Sequence, residues 1–269
     1  MQTQDQLNHT AWIDPAGVSW LARLEGFTDE GEREAYRRIE AEARGAPILD
    51  LGVGGGRTVS LLRALSTDYV AIDYTDVLVD AARRRYPGVD IRLGDARDLS
   101  QFADGTFGLV VFSYMGIDSV GREDRRRILR EVRRVLRPGG TFWFSTLNIT
   151  GAAPRRRPWQ VRLKRADEVG SVRRAIDLSR TLKRVPRETL NYLRGRRHGT
   201  RGQGWEIAPF FAYAYALLVH YTTLDDQLAE LVEAGFRPGA EVIDDVRGVP
   251  VAQGQDLSGT FCFNVLARV

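Results

Sequence analysis

The segment Ile48-Leu49-Asp50-Leu51-Gly52-Val53-Gly54-Gly55-Gly56-Arg57 constrains this chain more than any other. An apolar run without polar alternation fits a strand buried on both faces, as in a parallel sheet covered by helices. The glycines that follow permit positive backbone angles and bring main chain close to a ligand at a strand-to-helix turn. Their spacing also excludes one common occupant. A nicotinamide dinucleotide loop needs a third glycine three places after its second; Arg57 holds that place when counting starts at Gly52, and Val59 holds it when counting starts at Gly54.

The same alternation continues to Asn148. Strands are predicted over 46–51, 69–72, 89–93, 109–112 and 141–145, the last four followed by Asp73, by Gly94 and Asp95, by Ser113 and by Thr146. Amphipathic stretches fill the gaps. In 125–137 the residues Ile128, Leu129, Val132, Val135 and Leu136 share one helical face, and Pro138-Gly139-Gly140 ends it. The pattern predicts an α/β fold: a doubly wound, mostly parallel seven-stranded sheet with helices on both faces, an N-terminal helical segment and a basic insertion after the fifth strand. Right-handed crossovers then place the binding crevice beyond the C-terminal strand ends.

The flanks divide accordingly into a helical cap over 1–43, a core over 44–150 and 205–269, and the insertion over 151–204. The cap is read as short helices from Trp12 onward, with Thr28 as an N-cap and a charged helix over 33–43. The insertion holds 14 Arg and 2 Lys against 4 acidic residues, so it carries about +12 and the remainder about −8. Within it, Val169, Val172, Ile176 and Leu182 predict an amphipathic helix over 167–185, with joints at Pro154, Pro158, Pro186 and the glycines of 195–204. Bulky residues at Phe211, Tyr213, Tyr215, Leu217, Val219 and Tyr221 alternate with smaller ones, mostly alanine, and predict a strand over 211–221. A helix over 225–234 capped by Gly235 and strands over 240–244 and 261–267 complete the expectation. With 269 residues the chain can bury a core without disulfides, and its single cysteine, Cys262, reads as a buried side chain in a reducing compartment. No stretch approaches the ~20 apolar residues of a membrane span. The expected setting is cytoplasmic, as a monomer or homodimer.

Asp50-Leu51-Gly52-Val53-Gly54 resembles the first motif of class I, Rossmann-like, S-adenosylmethionine-dependent methyltransferases of the small-molecule type. The resemblance implies S-adenosylmethionine as cofactor, with the glycine loop around its methionine part and Asp50 orienting the amino group. Asp73, about 20 residues on, stands where a carboxylate accepts from both ribose hydroxyls, unless it caps the following helix; Tyr74 beside it counts among the cofactor-binding positions. Asp95 and Ala96 match the acidic residue and backbone amide that meet adenine in the family. Phe112-Ser113-Tyr114-Met115-Gly116 matches the strand end that lines the methyl-transfer pocket, Ser113 counting toward the cofactor and Tyr114 toward catalysis. The match covers Arg44 to Asn148 and recurs weakly at Leu228 to Phe236.

Methyl transfer needs no metal, and none is expected. A base is needed only for a nucleophile protonated at neutral pH, and the candidates are His220, Tyr114, His9 and Asp118. Arg155, Arg156, Arg157, Arg173 and Arg174 of the insertion present either a solvated helix face or a site for phosphate, carboxylate or nucleic acid. The leading expectation is transfer to an O or N atom of a small, anionic or natural-product substrate. The alternatives are an RNA methyltransferase that clamps nucleic acid with the insertion, and a non-catalytic cofactor-binding protein.

Overall fold

Alternate residues along each central strand are apolar and point to opposite faces, so each strand supplies two cores at once. The computed structural model describes residues 4–151, 154, 156–160 and 171–269. Its strands are β1 (Ile48–Leu51), β2 (Tyr69–Asp73), β3 (Asp90–Leu93), β4 (Phe107–Phe112), β5 (Leu136–Asn148), β6 (Thr200–Gly202), β7 (Trp205–Pro209), β8 (Leu218–Thr222), β9 (Glu241–Asp244) and β10 (Cys262–Arg268). Its helices are α1 (Gln4–Trp12), α2 (Pro15–Leu21), α3 (Glu30–Ala43), α4 (Val59–Leu65), α5 (Asp76–Arg85), α6 (Arg122–Val135), α7 (Ser171–Arg196) and α8 (Leu224–Glu233). Leu49, Val70, Val110 and Phe142 face α6 and α8, which bury Ile128, Leu129, Val132 and Leu231 there. Ile48, Ala71, Val111 and Trp143 face the opposite core, which contains Ile39 of α3, Leu62 of α4 and Val79 of α5. Each large aliphatic side chain so buried contributes about 1.5–3 kcal/mol.

β3, β2, β1, β4 and β5 lie side by side in parallel, and β10 enters antiparallel between β5 and β9. These seven strands form the expected core. The sheet nevertheless has ten strands, because β8, β7 and β6 extend it. Register shows where they join. β4 stops opposite Phe144, whereas Leu147 pairs with Cys262 of β10 on one edge and Tyr221 of β8 on the other. The arm therefore continues along the edge β4 vacates and stands over the C-terminal end of the sheet.

Three expectations are corrected. The segment over 211–221 is a strand only from Leu218; Tyr213, Ala214 and Tyr215 have φ of 50°, 53° and 60°, a left-handed conformation that no strand can contain. Their rings pack separately, Tyr213 on Trp12 and Trp20 and Tyr215 on Tyr192, so the alternation reflects different neighbours and not one sheet face. The insertion helix runs through Pro186, which removes only one backbone donor, to Arg196; Glu188, Tyr192 and Gly195 are buried on its far side, and the first four residues of the expected 167–185 lie outside the described residues. The N-cap of α3 is Asp29, whose Oδ1 accepts the Glu32 N–H at 2.7 Å, while the Thr28 N–H donates back to Glu32 Oε2. No helix of the described residues is long and apolar enough to cross a membrane.

Candidate active site

Gly52 and Gly54 take φ of 62° and 54°, which turns the chain from β1 toward α4. The two differ in what surrounds them. A Cβ on Gly52 would lie 2.6 Å from the Phe112 ring, whereas one on Gly54 would meet nothing within 4 Å, so Gly54 shows bare backbone to the cleft. Asp73 secures this turn from β2. Its Oδ2 accepts the Gly54 N–H at 2.9 Å and its Oδ1 accepts the Thr75 N–H at 2.8 Å at the start of α5. Burial raises its pKa above the carboxylate norm, against the lowering effect of those two bonds. Each oxygen keeps a further lone pair for hydroxyl donors.

Asp50 lies beneath the loop and is not among the residues that line the cleft. Its Oδ2 accepts from Thr58 Oγ1 at 2.7 Å and from the Tyr69 hydroxyl at 2.8 Å, tying β1 to the loop exit and to β2. Oδ1 is buried and accepts from no group among the described residues, and burial pushes the acid up to about 6.

Tyr74, Asp95, Ala96, Ser113 and Tyr114 all line the same cleft as Gly52, Gly54 and Asp73, at the ends of four neighbouring strands. Asp95 is already engaged. The Arg97 guanidinium grips it in a fork at 2.6–3.0 Å and also reaches Asp5 of α1 at 3.1 Å and Asp124 of α6 at 3.2 Å. Tyr114 and Met115 are left-handed, with φ of 53° and 59°, and burial holds the Tyr114 phenol up at about 12. It is therefore a neutral donor at physiological pH. His9 meets the ring of Tyr74 edge-on at 5.9 Å.

Two candidate bases lie elsewhere. His220 is fully buried on β8, stacked 5.7 Å from Trp205, and is not among the cleft-lining residues. Burial first, then Arg125 and Arg122, push it down to about 2, so it stays neutral; neither ring nitrogen has a partner among the described residues. Asp118 is equally buried and ion-paired with Arg125 at 2.6 Å, while accepting from Thr146 Oγ1 and the Leu147 N–H. Arg125 also bonds Glu230, Gln227 and Thr146, so this cluster braces α6, α8 and β5.

Arg57 is the residue whose role the sequence concealed. It is 6% exposed, and it donates to both oxygens of buried Glu32 at 2.8 and 2.6 Å, to the Gly26 carbonyl at 2.7 Å and to Ser113 Oγ at 2.8 Å. One guanidinium thus latches the cap to the glycine loop and to the end of β4. The only signal was negative: an arginine where a dinucleotide loop demands glycine. Asn8, also unforeseen, ties α1 to both Leu218 and Ser119. Trp12 and Leu21 close the cleft from the cap side, leaving about 100 Å³, below the ~300–1,000 Å³ of small-molecule sites.

The residues present fit S-adenosylmethionine: open backbone at Gly54, a buried carboxylate oxygen without a donor at Asp50, and a carboxylate with spare acceptor capacity at Asp73. Comparison with known proteins agrees. Residues 49–144 match a family described as a methyltransferase domain. A probable S-adenosylmethionine-dependent methyltransferase of Mycolicibacterium smegmatis is 33% identical over 121 residues, covering 45% of this chain and 46% of the relative. A ubiquinone biosynthesis O-methyltransferase of Xanthomonas oryzae pv. oryzae is 34% identical over 122 residues, covering 44% and 50%. The chain thus spans about half the length of these curated relatives. The glycopeptide N-methyltransferase solved with S-adenosylhomocysteine superposes with a TM-score of 0.55 at 18% identity, covering 95% of this chain and 98% of that one. The chain thus carries, over residues 49–144, a segment that matches the methyltransferase domain family, and its overall fold is shared with solved class I, Rossmann-like, S-adenosylmethionine-dependent methyltransferases.

Proposed function

We propose that this protein transfers a methyl group from S-adenosylmethionine to an oxygen or nitrogen atom of a small molecule held beneath the 151–204 insertion, with residues 1–43 acting as a cap over the cofactor. The observation that carries the reading is the Asp73 clamp on Gly54, a buried carboxylate joined at 2.9 Å to bare backbone at the ends of two adjacent strands. It brings a place for an amino-acid tail next to a place for a ribose. In this reading Gly52, Gly54 and Asp50 hold the methionine part, Asp73 and Tyr74 the ribose, Asp95 and the Ala96 main chain the adenine, and Ser113 and Tyr114 the wall nearest the reacting carbon.

The cofactor supplies an activated sulfonium methyl group, so alignment and water exclusion do much of the work. The chain contributes both. Arg57 holds Ser113 and the cap in one position, and Trp12, Leu21 and Tyr114 exclude water. Tyr114 acts as a donor and a wall, because burial keeps its proton on. That one relative is an O-methyltransferase and one structural neighbour an N-methyltransferase supports oxygen or nitrogen as the acceptor atom. Calorimetric titration with S-adenosylhomocysteine is expected to show one saturable site, and labelled S-adenosylmethionine incubated with small-molecule pools to yield methylated product. Absence of cofactor binding would refute the proposal.

A further inference from the structure

A second cavity, of about 790 Å³, lies between the cap helices α1 and α2, helix α7 and the left-handed turn at Tyr213–Tyr215. One helical face of α7 supplies its cationic lining. Arg187, Asn191 and Arg194 stand at i, i+4 and i+7, and the Asn191 Nδ2 donates to the Ala214 carbonyl at 3.0 Å, which anchors the turn. Neither arginine is ion-paired with a carboxylate among the described residues, although Arg184 one turn away is paired with Glu188 and the core arginines Arg57, Arg97, Arg122 and Arg125 all are. The remaining wall is largely apolar and aromatic, with Trp20, Tyr213 and Leu218 prominent; Thr10 and Asp14, whose Oδ2 accepts the Gly17 N–H at 3.4 Å, lie on the cap side.

A single layer of rings separates this cavity from the cofactor cleft. Tyr213 packs edge-on against Trp12, which lines the cleft, at 5.2 Å, and against Trp20 at 5.7 Å; Trp20 in turn lies 6.0 Å from Tyr114. Two donors in this layer, the Tyr213 hydroxyl and Trp12 Nε1, are buried with no acceptor among the described residues. Buried donors normally have partners.

We propose that the second cavity is the acceptor pocket of the methyl transfer, and that the acceptor is a flat apolar molecule bearing a carboxylate or phosphate, its acid held by Arg187 and Arg194 and its body by Trp20 and Tyr213. This rests on the methyltransferase reading for its purpose, but not for its geometry. Arginine forks suit planar acids, and a charge-assisted pair discriminates strongly against a neutral isostere.

The probes are 2-naphthoate, 2-naphthyl phosphate and neutral 2-naphthamide, titrated calorimetrically into the full chain with S-adenosylhomocysteine present, at low ionic strength where exposed arginines are least screened. At least one acid is expected to bind roughly tenfold or more tightly than the amide, and the tighter acid identifies the group. In Arg187→Gln/Arg194→Gln the preference should vanish, in Arg187→Lys/Arg194→Lys it should persist in part, and in Arg197→Gln, outside the cavity lining, it should remain. Equal binding of acids and amide, no binding of any probe, or a preference that survives the double glutamine variant overturns the proposal. Titration of S-adenosylhomocysteine alone separates the two readings. If it binds while the acid preference is absent, only the pocket assignment fails; if it does not bind while the preference follows the arginine pair, the methyltransferase reading fails and the anion pocket stands.

Discussion

Arg57→Met tests the latch between cap and core. The guanidinium it removes makes four hydrogen bonds, two of them to Glu32, whose side chain is 2% exposed. After the substitution Glu32 keeps only the Thr28 N–H and hydroxyl, at 2.7 and 3.1 Å, and its charge stays buried without a cation. Breaking a buried pair in this way costs about 3–5 kcal/mol, because one desolvated charge is left uncompensated. At ~2–4 °C per kcal/mol for a chain of this size, the thermal midpoint should fall by roughly 6–20 °C. Urea unfolding followed by circular dichroism measures the free energy directly. Adding Glu32→Gln to the variant removes the stranded charge and should restore about 1–3 kcal/mol. A loss below about 1 kcal/mol, the range of exposed ion pairs, or no recovery on adding Glu32→Gln, would show that the pair does not hold the cap as argued.

Three further outcomes follow from the same geometry. Asp73→Ala should weaken S-adenosylhomocysteine binding by about tenfold or more while the far-UV circular dichroism spectrum is retained; unchanged affinity in calorimetry would remove Asp73 from the ribose site. Gly54→Ala places a methyl group in the open cradle at φ of 54°, so cofactor affinity should fall by more than the ~1–2 kcal/mol of left-handed strain takes from stability, as paired calorimetric and urea titrations would reveal. His220 is held down at about 2 against 6.5 when unfolded, so protonation favours the unfolded chain and stability is lost as pH falls below 6.5. His220→Phe should therefore gain on the wild type by about 2 kcal/mol between pH 6.5 and 5, leave the difference flat above pH 7.5, and spare the pH profile of methyl transfer; parallel stability curves would contradict the burial argument.

Most of the core was legible because its signals are local. Unbroken apolar runs marked β1, β2 and β4, and the spacing of Ile128, Leu129, Val132 and Val135 marked α6, although the helix ends at Val135 and Pro138-Gly139-Gly140, expected to end it, lies within β5. Cleft residues at successive strand ends were legible for the same reason, since parallel topology gathers strand C-termini along one edge. The failures were not local. His220 sits in a strand read correctly over its last residues, yet stacking on Trp205 of an unforeseen strand buries it away from the cleft. Asp118 reads as a free carboxylate until Arg125 is folded against it.

Chain order and side-chain periodicity were enough to specify the doubly wound sheet, its glycine bend and the row of acceptors from Asp50 through Asp73 to Asp95, because each depends on residues adjacent along one strand or turn. Partners distant in sequence belong to the packed molecule alone. Arg57 became a latch when Glu32 and Ser113 were brought to it, Asp95 was taken up by Arg97, and the paired cations of α7 came to face a cavity whose other walls lie some 170 residues earlier and 20 residues later. Such contacts are selected by the total burial and charge pairing of the folded chain, which no short window of sequence contains.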